Sequence, residues 1–100
     1  MNEVEFPTIL VVGHDEDCLI LVDGLQADGY FVLIAENYDD ALRMASIHSR
    51  QIHLVLVHGN MNASDLAEIL KPFRLEIPVL HVDGVPRIDT RVRVRELVKV

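Results

Sequence analysis

The sequence predicts an α/β domain, a parallel sheet of buried strands with helices packed on both of its faces. Three observations point there. Four short apolar runs, Thr8–Val12, Phe31–Ala35, Leu54–Val57 and Pro78–Val82, are nearly continuous rather than alternating, as suits strands covered on two sides. The segments between them carry helical spacing. The runs also recur about every 23 residues, which leaves room for a crossover helix between successive strands.

Taken in order, the first strand is Thr8–Val12. Cys18, Leu21, Val22 and Leu25 then follow the i, i+3, i+4, i+7 pattern of a helix with one apolar face. Asp28-Gly29 ends that helix with a residue suited to positive φ. The second strand, Phe31–Ala35, leads to a segment that Asn37 or Asp39 can cap, with Ala41, Met44, Ala45 and His48 on one face and Leu42 adding to it. Leu54–Val57 is the third strand. Ser64 can cap a third helix bearing Leu66, Ile69, Leu70 and Phe73. Pro78 then opens the fourth strand, where a missing N–H is tolerated. The final segment, from Arg91 to Val100, alternates with period two over its first half and predicts an edge strand with one wet face. Val92, Arg95 and Glu96 would also suit a short helix, but the strand is the preferred reading, with no final helix after it.

The chain has 100 residues, the size of one compact domain, and 50% of them are hydrophobic. Aromatic residues number five and Trp is absent, so the core is expected to be aliphatic. A formal net charge of −7 argues against direct nucleic-acid binding. The charge is unevenly placed: five of the nine basic residues, Arg87, Arg91, Arg93, Arg95 and Lys99, fall in the last fourteen positions, and the first forty residues contain none. That segment reads as a solvated face, or as a docking patch for an acidic partner. Cys18 is the only cysteine, which suits a reducing compartment and a small buried hydrophobe. Neither a signal-peptide pattern nor an apolar run of transmembrane length occurs. A cytoplasmic protein is expected, with no membrane partner.

Three stretches together resemble a response-regulator receiver domain of the CheY-like type. Ile9–Val12 precedes a polar loop, His14-Asp15-Glu16-Asp17. Asp28-Gly29-Tyr30-Phe31-Val32, with Ala35 and then Ala41-Leu42, is similar to the family's "GY-x-V-x-x-A…AL" pattern. Leu54-Val55-Leu56-Val57-His58-Gly59-Asn60-Met61 is placed like the strand that ends in the phosphoacceptor, and Ile77-Pro78-Val79-Leu80 follows. The similarity covers about residues 8–84. It implies a flavodoxin-like, three-layer α/β/α fold with strand order 2-1-3-4-5, here without the last helix. Residues 1–100 would then be a single receiver-like domain, truncated before that helix.

The resemblance also implies a site at the carboxyl ends of the first and third strands. In the family, acidic residues after the first strand help to hold Mg²⁺ and an Asp ending the third accepts phosphate. A Thr or Ser after the fourth strand and a Lys after the fifth read it. The matching positions here are Gly13 and His14, His58, Asp83 and, across a shortened interval, Lys99. Asp15 takes a metal-ligand place if the loop is remodelled. Acyl-phosphate formation needs a carboxylate nucleophile and a divalent cation. Position 58 offers an imidazole, position 13 no side chain, and Asp83 a charge that repels a phosphoryl group.

The implied function is a degenerate, or pseudo-, receiver. It would be a non-enzymatic module of a two-component-type protein, without cofactor, acting by phosphorylation-independent protein–protein interaction. Helix 1 alone would leave apolar sheet surface bare, so a protein partner or a second copy should cover it, with Arg91, Arg93 and Arg95 beside it. The alternative is a small regulatory domain that binds a ligand or transition metal through His14 and His58, imidazoles near carboxylates being suited to Zn²⁺. The plainer view of those histidines is polar caps on buried strands. His53 and His81 read as packed or surface residues, and His48 as a helix-terminal one.

Overall fold

The computed structural model describes residues 7–13, 16–47, 52–59, 68, 77–82 and 88–98. The described elements run β1 (Thr8–Val12), α1 (Glu16–Ala27), β2 (Phe31–Ala35), α2 (Tyr38–Ile47), β3 (Leu54–His58), β4 (Val79–Val82) and α3 (Ile88–Leu97). The helix expected at Leu66–Phe73 lies outside the described residues, apart from the helical Glu68.

All strand pairs are parallel, and the sheet order is β2-β1-β3-β4. The fold is thus the CheY-like, flavodoxin-type α/β arrangement. β1 and β3 are central and buried along their whole length, so their apolar runs are unbroken. β2 is an edge strand, and there the expectation of burial on both faces does not hold. Phe31 and Ile34 are exposed.

Alternating strand residues send side chains to two separate cores. Ile9, Val11, Leu54, Leu56, Leu80 and Val82 meet Cys18, Leu21, Val22 and Leu25 of α1 on one face. Leu10, Val12, Val55 and Val57 meet Ala41 and Ala45 of α2 on the other. The four α1 residues picked out by spacing are its buried ones.

The helix ends follow local chemistry. Gly29 has φ 95° and terminates α1 in a paired-bond cap, its N–H donating to the Gln26 carbonyl and the Tyr30 N–H to the Leu25 carbonyl, each at 3.1 Å. Tyr30 packs against the same core as Leu25, the apolar contact that accompanies this motif. Asn37, of the two candidates, caps α2: its Oδ1 accepts the Asp40 N–H at 2.9 Å. The exposed Arg43–Asp40 ion pair contributes little.

The C-terminal segment corrects the sequence reading twice. Residues 88–97 are helical, and the edge strand expected from Arg91 onward, the fifth of the predicted order, is absent. The buried positions are Val94 at 0% and Val98 at 7% exposure, four apart, whereas Val92 is 45% exposed. A strand would have turned Val92 and Val94 to the same side. Val94 and Val98 join the core beneath α1, so the sheet face thought to lack a closing helix has one. The burial gained there outweighs the strand-like alternation, and Arg is itself a good helix former. The bare face from which a partner was inferred is therefore covered.

Helical seating of this segment gives a direct expectation. In urea denaturation, Val94→Ala should destabilise by about 1.5–3 kcal/mol and Val92→Ala by less than about 0.5 kcal/mol. Equal losses at the two sites would indicate a strand.

Candidate functional site

The carboxyl ends of β1 and β3 are brought side by side by parallel pairing, with Val12 opposite Val57. A reciprocal bond pair at the other end fixes this register. His53 N–H donates to the Thr8 carbonyl at 2.8 Å, and the Thr8 N–H donates to His53 Nδ1 at 3.1 Å. His53 is thus a packed residue with a defined task, which its place before an apolar run did not reveal.

One residue beyond each strand pair lie Gly13 and His58. Gly13 donates its N–H to the Ala35 carbonyl at 2.9 Å, extending the ladder to β2. His58 closes β3 and is buried, with 4% exposure. A Cβ placed on Gly13 would lie 3.1 Å from Cys18 Sγ and 3.2 Å from His58 Cβ. Both are closer than ordinary carbon contacts. Cys18 belongs to the tightly filled core under α1, and a Cβ cannot swing away from its own backbone. Gly13, Cys18 and His58 are therefore in close contact, and a side chain at position 13 would require Cys18 or His58 to give by a few tenths of an ångström. Spacing marked Cys18 as buried but gave no hint of this contact.

β3 leaves the site through Gly59, whose φ of 84° favours a residue without Cβ. The Gly59 N–H donates to the Val82 carbonyl at 3.2 Å, and its own carbonyl lies 2.7 Å from His81 Nε2 on β4. Only a protonated Nε2 donates there, which assigns that ring nitrogen its hydrogen. His81 is therefore an exposed side chain that ties β4 to the turn after His58.

Of the residues singled out from sequence, the structure brings Gly13 and His58 together. His14, Asp15, Asp83 and Lys99 lie outside the described residues, as does the side chain of Arg91. Arg93 and Arg95 are exposed on α3, on a helix rather than a strand edge. Among the described residues no group of three His, Cys, Asp or Glu side chains is gathered to hold a metal ion, and no helix is long and apolar enough to cross a membrane.

The Mg²⁺ that a receiver site requires finds poor donors in this pair. Hard divalent cations take oxygen ligands, and Gly13 supplies no side chain while His58 supplies nitrogen. These two positions do not fit the ion.

The geometry can be set beside known proteins. The chain superposes on the non-phosphorylated HemR receiver domain of Leptospira biflexa with a TM-score of 0.62 and 27% identity, covering 91% of this chain and 75% of that one. Its fold is the response-regulator receiver fold. A receiver protein from Pseudomonas putida gives a TM-score of 0.67 at 19% identity over 95% and 82% of the two chains. A response regulator from Burkholderia pseudomallei, solved with a phosphorylated aspartic acid, a calcium ion and citrate, gives 0.58 at 24% identity over 91% of this chain and 55% of that one. The likeness to the HemR receiver domain supports a role in two-component signalling. No protein-family model and no curated protein matches the sequence.

The interlock has a measurable consequence. Gly13→Ala should cost about 1–3 kcal/mol by overpacking. Adding Cys18→Ala, which removes the 3.1 Å neighbour, should recover part of that loss in a double-mutant cycle by thermal or urea unfolding. Strict additivity would show that the two side chains do not compete for one space.

Proposed function

We propose that this chain is a pseudo-receiver, a non-catalytic domain of a cytoplasmic two-component-type signalling protein that acts by phosphorylation-independent protein–protein interaction. The observation that carries the reading is the packing of Gly13 against Cys18 Sγ and His58 Cβ. Aspartyl phosphorylation needs a carboxylate oxygen as nucleophile and a cation to neutralise the incoming phosphoryl group. An imidazole that is 4% exposed stands at the end of β3. Beside it, at the position where the family places an acidic residue, a Cβ would crowd Cys18 Sγ at 3.1 Å and His58 Cβ at 3.2 Å. A surviving fold with its reactive chemistry packed shut retains the receiver surface as its means of signalling, and surfaces act by docking.

Treatment with acetyl phosphate, and separately with beryllofluoride and Mg²⁺, tests this. Intact mass should stay unchanged, and the amide resonances of Gly13, His58, Gly59 and His81 should stay in place. A covalent phosphoryl adduct, or saturable shifts confined to those residues, would falsify the proposal.

A further inference from the structure

We infer that the outer edge of β2 is the docking surface, and that it takes an extended segment of a partner protein, apolar at its centre and flanked by Lys or Arg. The inference rests on the interaction reading above and names its surface and the chemistry of its partner. β2 ends the sheet, paired with β1 on one side only. The Phe31 N–H donates to the Pro7 carbonyl and the Ala35 carbonyl accepts the Gly13 N–H, each at 2.9 Å. Pairing alternates along a strand, so Phe31, Leu33 and Ala35 turn their backbone groups to β1. Val32 and Ile34 turn theirs to the outer side. Among the described residues no backbone group pairs with them there.

Edge strands are commonly blunted by a Lys, a Pro or a bulge. None of these interrupts β2. Phe31–Ala35 holds no charge and no proline, and its register with β1 is unbroken. The side chains of Phe31 and Ile34 are 50% and 39% exposed beside the edge. At the head of the strand lies an open, mostly apolar hollow of about 230 Å³, lined by Gln26, Gly29, Tyr30 and Phe31. An added strand pairs its backbone with Val32 and Ile34 and sets an apolar side chain in the hollow, the mode by which extended peptides join a sheet.

Charge selects the occupant. Asp28 precedes the strand, the exposed Glu36 and Asp39 follow it, and the first forty residues contain no Lys or Arg. Acid therefore stands at both ends of an uncharged strand. Basic residues flanking the guest meet carboxylates whichever way the guest runs. A second copy is the poorer guest. Antiparallel pairing of two β2 strands brings Asp28 of each towards Glu36 of the other, and parallel pairing sets each acid beside its own copy, between chains of formal net charge −7.

Titration of the whole chain with the acetylated and amidated peptide KKVTLTVKK, followed by amide chemical shifts and hydrogen exchange, provides the test. Saturable shifts and slowed exchange should centre on Val32 and Ile34. The peptide EEVTLTVEE should bind more weakly by at least about tenfold, and so should KKVTLTVKK N-methylated along its five central residues, which keeps the charge and loses the donors. Glu36→Lys with Asp39→Asn should weaken binding of KKVTLTVKK by about threefold or more, with circular dichroism matching wild type as the fold control. No saturable binding below millimolar peptide, equal binding of the N-methylated peptide, or shifts that spare Val32 and Ile34 would each overturn the inference. Slowed exchange at those two amides that grows with protein concentration, without peptide, would make a second copy the guest and overturn the partner named here. Failure to bind with or without beryllofluoride and Mg²⁺ removes this inference alone. Binding that requires them overturns the phosphorylation-independent reading and this one with it.

Discussion

The structure depends first on the parallel pairing of β1 with β3. Both strands are buried end to end, so their backbone groups have no water to turn to and must pair with one another. A one-residue slip would send every side chain to the wrong core. The register is held at its start by the Thr8–His53 exchange and on both faces by separate hydrophobic clusters. Once Val12 is beside Val57, Gly13 and His58 have no freedom to be apart.

The central strands and the helix ends were legible in the sequence because local rules act alone there. Continuous apolar runs mark strands covered on two faces, and Asn37 and Gly29 announce a cap and a stop through their own backbone chemistry. The final segment was misread because two periodicities coexist in it. Arg and Val alternate from Arg91 to Arg95, while Val94 and Val98 recur at four. What decides between them is a long-range fact, the apolar sheet face between β1, β3 and β4 that needs a cover. No local propensity carries that information.

The candidate site divides along the same line. That residue 58, the last of β3, is a histidine is a statement about residue type, and the sequence carries it in full. That Gly13 is filled by neighbours is a statement about distance, and it becomes visible only when α1 brings Cys18 over the end of β1. A glycine in a loop usually signals conformational need. Here the need is space, which spacing along a chain cannot express.

These two facts reinforce each other physically. A metal-binding acidic pocket must be open and hydrated, since a divalent cation keeps oxygen ligands and water around it, and clustered carboxylates repel one another unless an ion is present. With glycine and histidine in place, the same volume becomes core: Sγ and Cβ atoms lie close to where a carboxylate stem would run. The close packing penalises a larger side chain at position 13 unless Cys18 or His58 gives way. The contacts of Gly13, Cys18 and His58 therefore make this end of the sheet one packed unit rather than three independent positions.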